Sequence, residues 1–416
     1  MLKPYLELPR AVHILCIGTL INRAGTFLVP FLTLYLSAQL HLGERFATLT
    51  MGLYGLGSIV AALAGGHLAD WIGRRTVMLI SLFGGAASLL LFSQLTHPIA
   101  IMVDVVAFGM IAEMYRPGAT AMIGDLVEPA RRPHAFGLLY VAINLGFAIG
   151  PAIGGVISTY SFRLLFAADA ATSVVYGLIV LFAIHETLRR AGREGDPADG
   201  DRRHVPLGEA ARHMLRDYPF QIFCFAGFLL AVMFMQSMST FPLYLSHQGI
   251  GRETYGPLIA LNGVMIVALQ LPVTAFLSRF DRATVVVMAS LITGIGFALT
   301  GVATNVWQYA LTIVVWTLGE IMQASFVFAI ATDLAPPRMR GRYMGAFGMS
   351  FATAMTIGVP LGGEVLSRFG GRWLWAGCLV CSFISAGLYL SVRRHLRPRS
   401  FANRDAVAVI SAIKPE

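Results

Sequence analysis

Five ionisable side chains lie deep inside the long apolar runs of this sequence of 416 residues. A charged group at the centre of a bilayer costs roughly 2.5 to 3.5 kcal/mol on insertion scales, so such groups tend to mark a functional pathway. Carboxylates can take up and release protons there, whereas arginine keeps its proton at any useful pH. The candidates for proton coupling are therefore Glu320, Glu113, Arg116, Arg23 and Asp104.

The spacing of these residues distinguishes two kinds of carboxylate. Glu113 and Arg116 are three residues apart on one helical face, and we expect an ion pair that keeps Glu113 ionised. Glu320 has only Gln323 as a polar neighbour on its own face, so it is the leading candidate for a carboxyl that binds and releases a proton. An arginine approaching from another helix would remove this distinction. A salt-bridge network that only joins helices is the alternative interpretation.

The composition indicates which elements must position these residues. Hydrophobic residues make up 56% of the chain and charged residues 13%, against about 25% charged in soluble domains. The mean hydropathy of +0.69 requires much of the surface to face lipid. The length fits twelve segments of about 35 residues, each a spanning helix with a short connection. The twelve apolar runs cover residues 11–37, 46–69, 76–94, 99–122, 134–157, 164–184, 219–245, 254–278, 283–302, 306–332, 343–366 and 372–392.

Charge distribution predicts the orientation. With twelve spans, both termini lie on one side, and 24 of the 31 lysines and arginines fall in connections on that side, against five on the other. The positive-inside rule then places both termini in the cytoplasm. We expect a multi-pass protein of the plasma membrane, which is the inner membrane in a bacterium.

A long polar stretch at residues 185–217 divides the chain into halves of six spans. We predict an N-terminal bundle at 1–184, a cytoplasmic linker at 185–217, a C-terminal bundle at 218–393 and a cytoplasmic tail at 394–416. The end of the linker, Leu207 to Tyr218, is predicted to form an interfacial amphipathic helix. The halves repeat, because the segment Gly124 to Pro129 matches Thr332 to Pro337 at an offset of 208 residues, half the chain.

The segment GHLADWIGRR, from Gly66 to Arg75, resembles the signature Gly-x-Leu-x-Asp-x-x-Gly-Arg-Arg/Lys of the major facilitator superfamily. The resemblance implies an all-α membrane protein with twelve transmembrane helices in two pseudo-symmetric six-helix bundles. It also implies a conformational latch at Gly66, Asp70, Gly73, Arg74 and Arg75. We expect Gly66 to allow close helix approach and Gly73 to allow a tight turn. A basic loop that only sets topology is the alternative.

The signature also has a degraded copy in the second repeat, where Leu277, Arg279 and Arg282 stand opposite Leu68, Asp70 and Gly73. A second motif, in the fifth span, resembles the Gly-x-x-x-Gly-Pro-x-x-Gly-Gly pattern of the superfamily's drug and proton antiporters, in which it is associated with export. It comprises Gly146, Gly150, Pro151, Gly154 and Gly155. The glycines permit close packing and the proline is expected to bend the helix. Glycine packing alone is the alternative.

Arg116 resembles the intramembrane arginine of the family's fourth span, but Pro117 and Gly118 follow it at once, which departs from the family pattern. The family's cavity is lined mainly by spans one, four, seven and ten. Candidate substrate contacts on them, each with packing as its alternative, are Asn22, Phe27, Tyr115, Gln236, Trp316 and Gln323. Asp169 and Glu364 lie near span ends, where we expect snorkelling to the interface. The four cysteines are interpreted as packing residues.

These observations favour a proton-coupled secondary transporter that exports small amphipathic or apolar compounds by alternating access. The alternative is a proton-coupled importer of a polar solute such as a peptide or organic acid. An enzyme is disfavoured, because the sequence has no His-Glu-x-x-His pair, P-loop or Gly-x-Ser-x-Gly elbow. A receptor would not need buried charges on three spans. The expected partners are a small-molecule substrate, protons and the lipid bilayer, without nucleic acid, cofactor or metal, in a monomer.

Overall fold

The computed structural model describes residues 6–128, 131–187, 207–336 and 339–396. Within these ranges the chain is helical, and twelve helical segments are long and apolar enough to cross a membrane. We number them spans 1 to 12 in chain order: Arg10–Gln39, Glu44–Ala69, Arg74–Phe92, Pro98–Leu126, His134–Tyr160, Phe162–Ala183, Tyr218–His247, Arg252–Leu277, Arg282–Thr300, Val306–Leu334, Arg342–Phe369 and Gly371–Ser391. The prediction of twelve spans is confirmed, and every observed end lies within four residues of its predicted apolar run.

A further helix, the linker helix Leu207–Arg216, precedes span 7 where the sequence predicts an amphipathic segment. The side chain of Asp217 then accepts a hydrogen bond from Phe220 N and begins span 7 as an N-cap. Ser161 and Asn305 cap spans 6 and 10 in the same way. The rest of the predicted linker, residues 188–206, and the tail after 396 lie outside the described residues.

Four spans are interrupted, and each contains a break four residues before a proline. Proline has no N–H and its ring collides with the carbonyl four residues earlier. Breaks or π-helical turns occur at those carbonyls: Thr26 before Pro30 in span 1, Glu113 before Pro117 in span 4, Met238 before Pro242 in span 7, and Thr356 before Pro360 in span 11. Span 5 behaves differently, since Pro151 lies within a helix that is continuous from Arg132 to Tyr160.

The helical pieces on either side of these breaks define where the polar side chains lie. Span 1 consists of Arg10–Ala24, Leu28–Leu34 and a π-turn at Tyr35–Gln39. Span 4 consists of Pro98–Ala112 and Tyr115–Leu126, span 7 of Tyr218–Gln236 and Thr240–His247, and span 11 of Arg340–Thr353, Ala354–Gly358 and Val359–Phe369. Span 10 is a single helix.

The spans form two bundles of six. Spans 1 to 6 pack among themselves, spans 7 to 12 do the same, and the bundles meet mainly along span 5 against span 8 and span 2 against span 11. We call one side of the membrane the linker side; it carries the linker helix, the start of span 1 and the end of span 12. The opposite side is the far side. The predicted fold class, two pseudo-symmetric six-helix bundles, is confirmed.

The bundles are closed against each other on the far side. Polar contacts join them there through the pairs Thr33 with Ser239, Arg45 with Glu364 and Glu44 with His247. Gly155 and Gly256 also bring spans 5 and 8 into backbone contact near their far-side ends. On the linker side, by contrast, a Cβ added to Gly66 of span 2 or Gly345 of span 11 would meet no atom within 4 Å. These polar contacts and the contact of Gly155 with Gly256 therefore close the bundles against each other on the far side.

Candidate functional site

The N-terminal bundle holds a polar cluster between spans 1, 2 and 4. Arg116 Nη1 lies 2.9 Å from Glu113 Oε2, which confirms the predicted ion pair. The other oxygen of Glu113 accepts a hydrogen bond of 2.9 Å from the hydroxyl of Tyr54. Arg23 Nη2 donates a hydrogen bond of 2.6 Å to the hydroxyl of Tyr115. The negative charge of Glu113 is therefore compensated by its neighbours in this cluster, through the ion pair with Arg116 and the hydrogen bond from Tyr54.

The break in span 4 explains this arrangement. Glu113 ends the first half of the span and Tyr115 begins the second, because Pro117 removes the helical donor for the Glu113 carbonyl. The interrupted turn is held from span 3, where Ser81 Oγ donates to the carbonyl of Ile111 and accepts from the backbone N–H of Tyr115. Glu113 therefore lies at a fixed, non-helical turn, and its partner Arg116 lies in the first turn of the helix that follows.

The C-terminal bundle presents its carboxylate to neutral partners. Asn262 Nδ2 of span 8 donates to Glu320 Oε2 at 2.7 Å and lies 3.0 Å from Thr317 Oγ1. Neither Arg23 nor Arg116 contacts Glu320, and within the described residues Glu320 forms no ion pair. Tyr140 of span 5 lies within electrostatic range, so Glu320 faces the seam between the bundles. The predicted contrast between the two glutamates is present in the geometry.

Asp104 occupies a third site, between spans 3 and 4. One carboxylate oxygen accepts a hydrogen bond of 3.0 Å from Ser88 Oγ, and the other is buried without a hydrogen-bond partner among the described residues. Asp104 is 7% exposed. It does not join the cluster around Glu113.

The six candidate substrate contacts differ in their surroundings. Asn22 and Tyr115 line the same small cavity as Arg23 and Glu113. Phe27 is buried against Gly154 of span 5. Gln236 and Trp316 are engaged inside the C-terminal bundle in this conformation, Gln236 by a hydrogen bond to the Gly358 carbonyl of span 11 and Trp316 by stacking on Phe297. Gln323 is half-buried one turn from Glu320.

The predicted latch lies at the linker side of the N-terminal bundle. Gly73 has φ +107° and forms the tight turn that the sequence predicts. The carboxylate of Glu186 accepts hydrogen bonds from the backbone N–H groups of Arg74 and Arg75, at the start of span 3. Arg74 Nε lies 3.1 Å from Asp125 Oδ2 of span 4. The expected close helix approach at Gly66 is wrong for this conformation, and the side chain of Asp70 lies outside the described residues.

The second repeat reproduces one part of this arrangement. Arg282 Nη1 lies 2.8 Å from Asp333 Oδ2, and both residues are 208 positions after Arg74 and Asp125. Arg282 therefore occupies the position of Arg74, and its predicted alignment with Gly73 is wrong by one residue. The signature's glycine position is held by Asp281, whose carboxylate pairs with Arg393 at 3.0 Å.

The glycine motif of span 5 gives close packing, as predicted. A Cβ added to Gly146 would lie 2.5 Å from Arg23 Cβ, and one added to Gly150 would lie 3.2 Å from the carbonyl oxygen of Ala24. A Cβ at Gly155 would lie 3.2 Å from Gly256 Cα in the other bundle. The motif thus lets span 5 contact both span 1 and span 8.

Asn262 and Asp169 are two of the residues at these sites that are not among the sequence candidates. Asn262 is an uncharged polar residue in an apolar run, and its contact with Glu320 distinguishes it. Asp169 is the second, and its predicted snorkelling is wrong. Its side chain is 3% exposed and accepts hydrogen bonds from the backbone of Phe27 and Leu28. The signal for it is Pro30, which predicts a break in span 1 whose free N–H groups need an acceptor.

Comparison with known proteins identifies the family. A family model described as Major Facilitator Superfamily matches residues 15–351 and 237–414. The chain belongs to this superfamily. Its members are transporters and not enzymes, so the chain is a membrane transporter. It is 26% identical to the "Na(+), Li(+), K(+)/H(+) antiporter" of Planococcus maritimus, over 95% of this chain and 98% of the relative.

Two further similarities cover nearly the whole transporter. The chain is 23% identical to "Quinolone resistance protein NorA" of Staphylococcus aureus (strain COL), over 88% of each chain. Among solved structures, a bacterial homologue of the human lysosomal transporter Spinster superposes with a TM-score of 0.76 at 14% identity, over 95% of this chain and 98% of that chain. The structural similarity supports the fold.

Proposed function

We propose that this transporter exports small amphipathic or apolar compounds in exchange for protons, with both termini in the cytoplasm of a bacterial cell. The relatives support the class of reaction, since one is named as a cation/proton antiporter and another as a quinolone resistance protein. The basic residues support the orientation, because they are concentrated on the linker side.

One observation carries the proposal: the two bundles hold their glutamates in opposite electrostatic surroundings. Glu113 is paired with Arg116, whereas Glu320 contacts the amide of Asn262 and lies beside Thr317. Binding a proton stabilises a buried carboxylate that has no cationic partner, because ionised groups are poorly solvated in an apolar interior. Glu320 is therefore the proposed proton carrier, and Glu113 remains ionised through the cycle.

Asn262 supports this role, because an amide can serve both protonation states of Glu320. Its NH₂ group donates to Glu320 Oε2 and approaches Thr317 Oγ1, while its Oδ1 is buried without a hydrogen-bond partner among the described residues. If the side-chain amide of Asn262 flips, its oxygen can instead accept a hydrogen bond from the protonated carboxyl of Glu320. The site can then exchange a proton without leaving the carboxyl unpartnered.

The proposed mechanism is alternating access, and the closure of the far side supports it. The proposed cargo enters from the cytoplasm while the far side is closed, and proton binding at Glu320 accompanies the reverse movement. Glu320 is suited to this role because it lies within electrostatic range of Tyr140, which belongs to the opposite bundle. The metal cations named for the Planococcus relative, Na⁺, Li⁺ and K⁺, are a second candidate cargo, since Glu320, Thr317 and Asn262 provide oxygen atoms, the ligands that hard cations prefer.

The test is transport by the purified full chain in liposomes with an imposed pH gradient. The probe is ethidium, and Na⁺, Li⁺ and K⁺ are run in separate arms. We expect the gradient to drive the probe opposite to proton flow, and Glu320→Gln to abolish this drive while retaining exchange of probe down its own gradient. Glu209→Gln, which neutralises an exposed carboxylate of the linker helix, is the matched control and should couple normally.

Four outcomes contradict the proposal or one part of it. A pH gradient without effect on any probe removes proton coupling, and normal coupling in Glu320→Gln removes the assigned carrier. Movement of probe in the same direction as protons favours the importer, for which a peptide or an organic acid is the next probe. Gradient-driven movement of Na⁺, Li⁺ or K⁺ without ethidium assigns the cation as cargo.

A further inference from the structure

Span 1 is interrupted next to the candidate substrate contacts, and span 6 bridges the interruption. The first helix of span 1 ends at Ala24 and the next begins at Leu28. Asp169 Oδ2 accepts hydrogen bonds from Phe27 N at 2.9 Å and Leu28 N at 3.0 Å, which are free N–H groups at the start of that second helix. One buried carboxylate oxygen therefore holds the backbone after the break.

The same face of span 6 also holds the backbone before the break. Ser173, one turn after Asp169, accepts a hydrogen bond of 3.0 Å from Asn22 Nδ2. Thr172 packs directly on Gly25, where a side chain would collide with it. Span 6 thus acts as a splint for the broken turn, and Asp169 supplies the carboxylate among the three span 6 side chains that contact it, the others being Thr172 and Ser173.

The repeat position in the C-terminal bundle lacks this device. Residue 377, 208 positions after Asp169, is a glycine, and span 7 is broken before Pro242 without any carboxylate among the hydrogen bonds described for that turn. There Gln236 and Ser239 bond neutral backbone and side-chain groups. The two breaks have the same origin in proline but different partners, so only the break in span 1 can respond to a proton.

We propose that Asp169 is a second proton-binding residue, which controls the geometry of the span 1 break rather than carrying the transport proton. This role of Asp169 rests on the proposed function only for its consequence for transport. That consequence arises because Asn22, Arg23 and Phe27, which flank the break, are candidate cavity residues. Ionised Asp169 clamps the break through two charge-assisted hydrogen bonds. Protonated Asp169 retains weaker bonds, and the second half of span 1 can then move relative to the first.

Access for the proton comes from a small cavity of about 30 Å³ that Asp169 lines, which is enough room for one or two water molecules. The charged and titratable groups that share this cavity are Arg23 of span 1, Tyr54 of span 2, and Glu113 and Tyr115 of span 4. Span 3 contributes only Ser81, Leu82 and Gly85, and span 5 contributes nothing to its lining. Arg23 lies within electrostatic range of Asp169, while its Nη2 is engaged with Tyr115.

Hydrogen–deuterium exchange of the full chain in lipid nanodiscs, without cargo, tests this directly. The readout is the protection of the Phe27 and Leu28 amides at pH 5 to 9, corrected for the chemical exchange rate at each pH. Hydrogen bonds to an ionised acceptor are roughly twice as strong as neutral ones, so we expect protection to fall about tenfold or more at low pH. Asp169→Asn should show the low protection at every pH, and Asp169→Glu should restore a pH dependence.

The matched control is Asp104→Asn, which neutralises another buried aspartate of the same bundle away from the break. It should keep the wild-type pH profile at Phe27 and Leu28. Constant protection of the wild-type amides across this range overturns the proposal, even if Asp169→Asn fails to fold. An unchanged profile in a folded Asp169→Asn also overturns it. Because no cargo or pH gradient is used, these results are independent of whether Glu320 couples transport.

Discussion

The closure of the far side predicts a specific effect of one methyl group. Gly256 of span 8 packs against span 5, and an added Cβ would overlap the carbonyl oxygen of Pro151 and lie 3.0 Å from Gly155 Cα. Both atoms belong to the backbone of the opposite bundle, so neither can turn aside as a flexible side chain would. Gly256→Ala should therefore destabilise the state in which the bundles touch there.

The magnitude follows from the cost of overpacking, which is typically about 1 to 3 kcal/mol. A change of this size alters an equilibrium between two conformations by about 5- to 150-fold. The gain in helix propensity on replacing glycine by alanine, roughly 0.5 to 1 kcal/mol, applies to any helical glycine and does not favour either conformation. We expect Gly256→Ala to shift the population towards a state that is open on the far side.

The assay is a distance measurement between spin labels in nanodiscs, in a variant without the four native cysteines, which are free thiols. Labels at Ala38 and Gln248, at the exposed far-side ends of spans 1 and 7, should move apart. Gly377→Ala is the matched control, because its added Cβ meets nothing within 4 Å. An unchanged Ala38–Gln248 distance distribution in Gly256→Ala, or an equal shift in Gly377→Ala, would refute the reasoning.

Three further predictions concern single contacts. Gly73→Ala should lower the melting temperature measured by thermal shift, because a φ of +107° is strained for alanine and the methyl group would meet the Glu186 carboxylate; Gly66→Ala, with open space around it, should not. A double-mutant cycle on Arg74 and Asp125 should give a coupling in the free energy of unfolding of about 0.2 to 1 kcal/mol, as for other partly exposed ion pairs. The measurement is chemical denaturation, and a coupling of zero would mean that this contact does not join spans 3 and 4. Asn262→Leu removes the donor to Glu320 and should weaken pH-driven transport by about tenfold or more, since the ionised carboxylate loses a charge-assisted hydrogen bond; Gln270→Leu on the same span is the comparison, and equal loss in both would show a packing effect.

Local features of this protein are readable from its sequence because their causes lie within a few residues. A bilayer leaves no water to satisfy backbone N–H and C=O groups, so each long apolar run has to form a helix. The pairing of Glu113 with Arg116 follows from their spacing of three residues, which brings the side chains together even across the break in span 4. The turn at Gly73 follows from the rarity of positive φ in other residues, and the offset of 208 residues locates Arg282 and Asp333 to within one position.

Only the tertiary structure decides which helix faces meet. From the sequence alone, Asp169 is predicted to lie at the membrane interface. In the structure it contacts the break in span 1, at a residue 141 positions earlier in the chain. Glu320 gains its partner Asn262 from a different helix, and the far side closes through residues of opposite halves of the chain. Apolar helices pack with lipid nearly as well as with one another, so hydropathy cannot select their neighbours. Small residues and buried hydrogen bonds make that selection, and they act between positions that the sequence separates widely.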